Sequence, residues 1–438
     1  MRRPGRVAAA LHVSEGDLGR RAAAANLIAQ TTALALVALA SLVVARVGGA
    51  SVLGTWTLLR VLPWLTGVIC SCGVPVASAF VLSGARGEDP RVRPTLSLLV
   101  LGGTVVGAAA WVLLTPLLHA LFLEQVPGRL LLLMGVTVVT QLWTVWAKAC
   151  CQGQADMAGA NLVIVGEEVA FLPAFIATLA AGGSSLTAVA AGLVAAGVCS
   201  TAIGLSRLAR RGFFSRWATP SGPLARSVLG YGARAQLGNL LWLVNLRLDL
   251  LMLGALAGPA TLGVYAVASK SAELMRLPAT AANYVLYPRF ARLNPPAAAV
   301  EVRTLLPRAC GLTIAAAPVL AVASAVGLPL LFGAEFRAAV LPACVLLVGL
   351  AVEGAAAVST AYLCGIGRPG ANSAGMALGV VVTIALDVAL IPRHGALGAA
   401  TASSVAYLSA AGLLTYMALR ISARVAPAPV TALKKETS

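Results

Sequence analysis

The sequence predicts an all-α polytopic membrane protein of about 12 transmembrane helices, grouped as two six-helix bundles. Three observations carry that prediction. Of 438 residues, 59% are hydrophobic and 11% are charged, with a mean hydropathy of +0.90, whereas soluble domains carry about 25% charged residues. Apolar runs of about 20 residues, long enough for a hydrocarbon core of about 30 Å, recur along the whole chain. Basic residues also collect in alternate connections. The short alternating segments of a transmembrane β-barrel do not occur.

The spans are expected at 22–45, 53–82, 95–117, 130–148, 157–181, 186–206, 234–257, 261–287, 309–331, 339–363, 371–391 and 396–419. With the N-terminus inside, 24 of the 32 Lys and Arg residues fall in inner segments, 4 in outer connections and 4 within spans. This asymmetry orients the chain, because cytoplasmic loops retain Lys and Arg. It also accounts for the net charge of +17 without nucleic acid as a partner. The eighth span is poor in hydropathy, being interrupted by Lys270, Glu273, Arg276 and Pro278. If it did not cross, every later loop would invert, so the charge rule requires it to cross.

The domain organisation follows. Residues 1–21 form a cytoplasmic N-terminal tail with five arginines, since no short apolar region with a cleavage site follows. Residues 22–206 form the N-terminal six-helix bundle and 207–233 a basic cytoplasmic linker containing Pro220, Gly222 and Pro223. Residues 234–419 form the C-terminal bundle and 420–438 a cytoplasmic tail. The halves echo each other: Gly49-Ala-Ser-Val-Leu-Gly54-Thr-Trp56 is matched by Gly258-Pro-Ala-Thr-Leu-Gly263-Val-Tyr265 at a constant offset of 209. Six spans repeated in the same orientation imply a parallel duplication about an axis along the membrane normal. Under that offset Arg60 falls one residue from the counterpart of Lys270.

The candidate site lies where charge sits inside spans. Each ionisable group there costs about 2.5–3.5 kcal/mol on insertion scales, so it persists where it lines a polar cavity or is paired. The substrate-binding candidates are Arg60, Arg247, Asp249, Lys270, Glu273 and Arg276, with Asn245 nearby. Lys270, Glu273 and Arg276 follow at i, i+3 and share one helix face. At about 1.5 Å per residue from the shared turn, Asp249 and Lys270 lie within one helical turn of equal depth, which leaves a cross-helix pair open. The wall of an aqueous cavity and a structural ion-pair cluster both fit this pattern.

Glu167, Glu168 and Glu353 are candidates for ion coupling. Adjacent Glu167 and Glu168 point about 100° apart, so one can face a cavity while the other pairs between helices or carries a proton. Other intramembrane polar residues include Gln141, Asn161 and Asp387. The eight cysteines lack the paired spacing of a zinc site and read as small buried hydrophobes. No cofactor is implied. The P-loop, HExxH and GxSxG motifs are missing and the connections are too short for a catalytic domain, so a transporter is favoured over an enzyme. An intramembrane transferase working with cavity carboxylates is the minority reading.

Three stretches carry a family resemblance. Ile384-Ala-Leu-Asp387 through Pro392-Arg-His-Gly395-Ala-Leu-Gly398 resembles the penultimate-helix turn of the multidrug/oligosaccharidyl-lipid/polysaccharide (MOP) exporter superfamily. Arg247-Leu-Asp249 through Gly263-Val-Tyr265 to Tyr287-Pro288-Arg289-Phe290 resembles the seventh and eighth helices of its polysaccharide (Wzx-type) flippase branch. Gly365-Ile-Gly367-Arg368 fits the short tenth connection. The likeness implies the V-shaped MATE/MOP transporter fold around a central cavity and a bacterial plasma membrane location. It implies a polyprenyl-pyrophosphate-linked oligosaccharide as cargo, moved from inner to outer leaflet by alternating access. Polysaccharide polymerase and glycosyltransferases are the implied partners, beside the lipid bilayer. The alternatives within the fold are a MATE-like drug or small-metabolite exporter and a lipid II flippase. Among the substrate-binding candidates Arg60, Arg247, Lys270 and Arg276 outnumber Asp249 and Glu273, which suits a phosphate cargo.

The topology has a direct test. Reporter fusions after Arg226 and after Lys435 are expected to give cytoplasmic signals; an external signal at either overturns the assignment.

Overall fold

The structure is a computed structural model and describes residues 5–215 and 218–425. The expected tails therefore lie partly outside the described residues: 1–4 at one end and 426–438 at the other. The described part of the N-terminal tail is helical and runs into the first span. Asn245 lies in a helix, but its side chain is outside the described set.

The helices, in chain order, are α1 (Gly5–Cys70), α2 (Val74–Ser83), α3 (Val92–Phe122), α4 (Gly128–Leu133), α5 (Gly135–Gly153), α6 (Met157–Val169), α7 (Phe171–Ala180) and α8 (Ser185–Arg210). They continue as α9 (Gly222–Glu273), α10 (Arg276–Arg292), α11 (Pro295–Phe332), α12 (Val340–Leu350), α13 (Glu353–Gly365) and α14 (Pro369–Val425). Nine helical stretches among the described residues are long and apolar enough to cross a membrane. The stretch Ala25–Cys70 has 46 residues, about 69 Å of helix, and so holds two crossings of a core of about 30 Å. Non-helical backbone falls at Gly49 in α1, Gly258 in α9 and Gly395 in α14. Gly49 and Gly395 each divide a stretch long enough for two crossings, and Gly258 divides α9 where the expected seventh and eighth spans meet, the latter continuing past a break into α10.

The glycine turns explain the repeat. Gly49 has φ 70°, ψ −170° and Gly258 has φ 78°, ψ 172°. A side chain rarely adopts this conformation, whereas glycine adopts it freely. The two matched sequence stretches thus encode the same backbone turn after the first span of each half.

Other breaks follow proline. Pro75 prevents α1 from continuing into α2, and the chain passes through Cys72 (φ 46°) and Gly73 (φ 70°). Pro173 removes the donor that would bond Val169, where α6 ends and α7 begins. Pro278 acts likewise on Leu274, between α9 and α10. Carbonyls freed at such breaks need donors inside a membrane. Gln236 Nε2 supplies one to Val68 O at 2.9 Å, and Thr313 Oγ1 supplies one to Ala351 O at 2.6 Å.

The chain divides into two compact units, Met1–Leu241 and Trp242–Ser438. The basic connection 207–233 and the first part of α9 belong to unit 1. Gly232 explains why: a Cβ there would stand 2.7 Å from Cys72 O, so α9 closes on the α1–α2 break only with glycine. Tyr231 stacks on Phe80 at 4.6 Å beside it.

Packing is dense at the basic ends. In unit 1, Trp146 meets Phe213 edge-on at 5.6 Å, and Arg93 covers the other face of the cluster, donating to Gly212 O at 2.9 Å. Asp156 caps α6 through Gly159 N, accepts from Arg207 Nε at 2.7 Å and forms an ion pair with Arg211 at 2.9 Å. The Arg207 hydrogen bond holds its carboxyl below the usual range. In unit 2 the comparable core gathers Phe290, Val302, Val358 and Tyr362.

Candidate functional site

Two clusters of intramembrane charge emerge, one in each unit. In unit 1, Arg60 of α1 forms an ion pair with Glu168 of α6 through Nη2. Arg60 is 33% exposed and Glu168 10%. The guanidinium lies 5.8 Å from the ring of buried Trp56, one helical turn away. Glu167 is half-buried beside this pair, within electrostatic range of both Arg60 and Lys148. Sequence reasoning nominated Arg60 for cargo and Glu168 for ion coupling; the fold places them on one another.

In unit 2, Asp249 of α9 is buried. Its carboxylate accepts from the Tyr265 hydroxyl at 2.6 Å and from Leu250 N at 2.8 Å. Tyr265 also meets Ser403 Oγ of α14 at 3.2 Å. Lys270, the cation the depth argument placed opposite Asp249, is exposed. Arg247 and Glu273 are half-buried, and Arg247 stays within electrostatic range of Asp249.

Arg276 occupies the first turn of α10, directly after the Pro278-driven break, and Glu353 occupies the first turn of α13. They stand 3.9 Å apart, 26% and 25% exposed. That separation is an ion pair without a hydrogen bond, and Arg276 Nε is buried without a hydrogen-bond partner among the described residues. Tyr407 of α14 carries the guanidinium on its ring face at 4.6 Å. Ser403 and Tyr407 lie four residues apart, so one face of α14 serves both Tyr265 and Arg276.

Asp387 of α14 is the residue whose importance the sequence understated. It is 0% exposed, and neither carboxylate oxygen has a hydrogen-bond partner among the described residues. It stands within electrostatic range of Asp249. Two neighbouring carboxylates in a dry interior provide a place for a proton or a small cation. A lone aspartate in an apolar run was the available signal; its nearness to Asp249, 138 positions earlier, was not readable from spacing. With Asp387 and Glu353 included, the acids at expected intramembrane positions of unit 2 (Asp249, Glu273, Glu353 and Asp387) outnumber the cations there (Arg247, Lys270 and Arg276), and the cation excess among the substrate-binding candidates does not hold locally.

This arrangement predicts opposite stability effects. Asp387→Asn removes an uncompensated charge and is expected to hold or raise the Tm of the purified protein. Tyr265→Phe deprives Asp249 of a donor and is expected to cost about 1–3 kcal/mol. Thermal unfolding in detergent measures both; the reverse order contradicts the assignment of partners.

Comparisons with known proteins bear on this geometry. A family model described as "Polysaccharide biosynthesis protein" matches residues 68–294, slightly more than half of the chain. No curated protein sequence matches it. Among solved structures, the chain is similar to the lipid II flippase MurJ in an inward closed conformation, with TM-score 0.69 and 14% identity over 92% of this chain and 90% of that one. It is similar to an inward-facing multidrug resistance MATE family transporter of the MOP superfamily, with TM-score 0.67 and 15% identity over 91% of this chain and 94% of that one. The Vibrio cholerae MATE transporter VcmN gives TM-score 0.60 and 16% identity over 94% and 98%. The fold is therefore that of the MATE/MurJ transporters. The chain belongs to the polysaccharide biosynthesis protein family.

Proposed function

We propose that this membrane protein moves a polyprenyl-diphosphate-linked oligosaccharide from the inner to the outer leaflet of a bacterial plasma membrane, for cell-surface polysaccharide synthesis. The observation that carries the reading is the pair of partly exposed guanidinium groups in expected spans. Arg60 and Arg276 are each held by one glutamate and one aromatic face. A planar guanidinium binds a phosphate through two parallel hydrogen bonds. The family description names polysaccharide biosynthesis, and a solved protein of like fold is named a flippase; both support a lipid-linked saccharide.

In this reading the bundles 22–206 and 234–419, joined by 207–233, give alternating access without covalent chemistry. A cargo phosphate exchanges part of its water for a guanidinium, Arg60 in the first bundle or Arg276 in the second, and Arg247, Lys270, Asp249 and Glu273 are further substrate-binding candidates. The sugar hydroxyls meet polar side chains and the prenyl tail stays in lipid. Both termini are cytoplasmic, and a polymerase and glycosyltransferases are the partners. Energy enters through an ion gradient or the membrane potential. Glu167, Glu168 and Glu353 are candidate coupling groups, and the Asp249–Asp387 pair joins them as a site for a cation.

That acidic pair also favours a second reading, export of a cationic small molecule, because buried carboxylates attract positive cargo. Complementation of a flippase-deficient strain separates the two. Breaking a buried pair on one side costs about 3–5 kcal/mol, so Arg60→Gln alone confounds folding with function. Arg60→Gln with Glu168→Gln removes both charges and is expected to restore protein abundance but not surface polysaccharide. Parental polysaccharide from the double variant, or no complementation by the parent beside parent-dependent resistance to cationic dyes, overturns the cargo assignment.

A further inference from the structure

The charges around α6 suggest more than a binding site. Arg60 from α1 pairs with Glu168, and Lys148 from α5 lies within electrostatic range of the adjacent Glu167; with both carboxyls ionised the four charges sum to zero. Other titratable groups lie on the elements packed against α6. α7 brings none. α5 adds Cys150 and Cys151, and α8 brings Cys199, Arg207 and Arg210, of which Arg207 pairs with Asp156. On α1, Arg6, His12, Glu15, Asp17, Arg20, Arg21 and Arg46 precede the Gly49 break, and Cys70 stands at the far terminus.

Arg60 is the exposed member of its pair and Glu168 the buried one. An anion arriving from water therefore meets the guanidinium first, and its phosphate oxygens compete directly with Glu168. Once a phosphate holds Arg60, the set gains one negative charge in a medium that penalises net charge. One proton offsets the charge of the phosphate on Arg60, and two adjacent carboxylates with their guanidinium engaged elsewhere are the groups to take it.

We infer that binding of a cargo phosphate to Arg60 releases Glu168, and that the freed Glu167–Glu168 pair then takes one proton from water. This rests on the reading of the cargo as a lipid-linked diphosphate. The proton returns to water when the phosphate leaves. Linkage is reciprocal: a lower pH must tighten cargo binding by the factor that cargo raises proton affinity.

Titration calorimetry on the full chain, in buffers of different ionisation enthalpy, tests this. The probe is a short-chain prenyl diphosphosugar, whose two phosphates are both esterified and do not titrate near neutrality. About one proton per probe bound is expected at pH 7, with affinity rising about tenfold per pH unit of acidification. Arg60→Gln is expected to weaken binding and abolish proton uptake. Glu167→Gln with Glu168→Gln is expected to bind at least about fivefold tighter, since the internal competitor is gone, with no proton uptake and no pH dependence. Normal binding without proton uptake in the parent overturns the inference and leaves the cargo reading intact; this measurement needs no variant to fold. Proton uptake that survives the double substitution, or binding unchanged by Arg60→Gln, also overturns it. Failure of the parent to bind the probe overturns the cargo reading itself.

Discussion

Charge taken out of water governs this molecule. In a chain with 11% charged residues, nearly all of that charge can stay in the connections, and the few groups inside spans must be compensated there. Arg60 has Glu168, Arg276 has Glu353 and the ring of Tyr407, and Asp249 has the Tyr265 hydroxyl. The helices are broken where these groups need room. Pro173 interrupts the fifth span just past Glu168, and Pro278 interrupts the eighth just past Arg276. The freed carbonyls are satisfied by side chains such as Gln236 and Thr313. A broken helix costs backbone hydrogen bonds in lipid, and each such cost falls beside a polar group that a smooth helix would hold less well.

The scaffold repeats while the chemistry does not. Gly49 and Gly258 hold the same turn at matching places in the two halves, yet the charges attached to those turns have diverged. Arg60 reaches the fifth span of its half through α6, whereas Arg276 reaches the fourth span of its half through α13. Among the described residues, the buried carboxyl groups of Asp249 and Asp387 both belong to unit 2. The charged groups of the two units differ: an Arg60–Glu168 ion pair in unit 1, and in unit 2 these buried carboxyl groups with Arg276 at 3.9 Å from Glu353.

Most of the fold was legible in the sequence, because a bilayer makes local composition decisive. Hydropathy located the long apolar helices, and glycine and proline marked the turns and breaks. The site was legible only as a list of members. Which residue meets which depends on helices far apart in the chain: Arg60 and Glu168 are 108 positions apart, Tyr265 and Ser403 138. Equal depth suggested Lys270 for Asp249, but helix rotation leaves Lys270 exposed and brings Tyr265 to the carboxylate. Asp387 and Tyr407 gained their meaning only from their neighbours.

The central claim concerns what crosses the membrane, and reconstitution addresses it without the cell. Purified protein in liposomes is given a short-chain prenyl diphosphosugar in one leaflet, and its arrival in the other is followed with a membrane-impermeant reagent. The account predicts transfer well above that of protein-free liposomes. Liposomes in which this probe never crosses, while a cationic dye does, would contradict it.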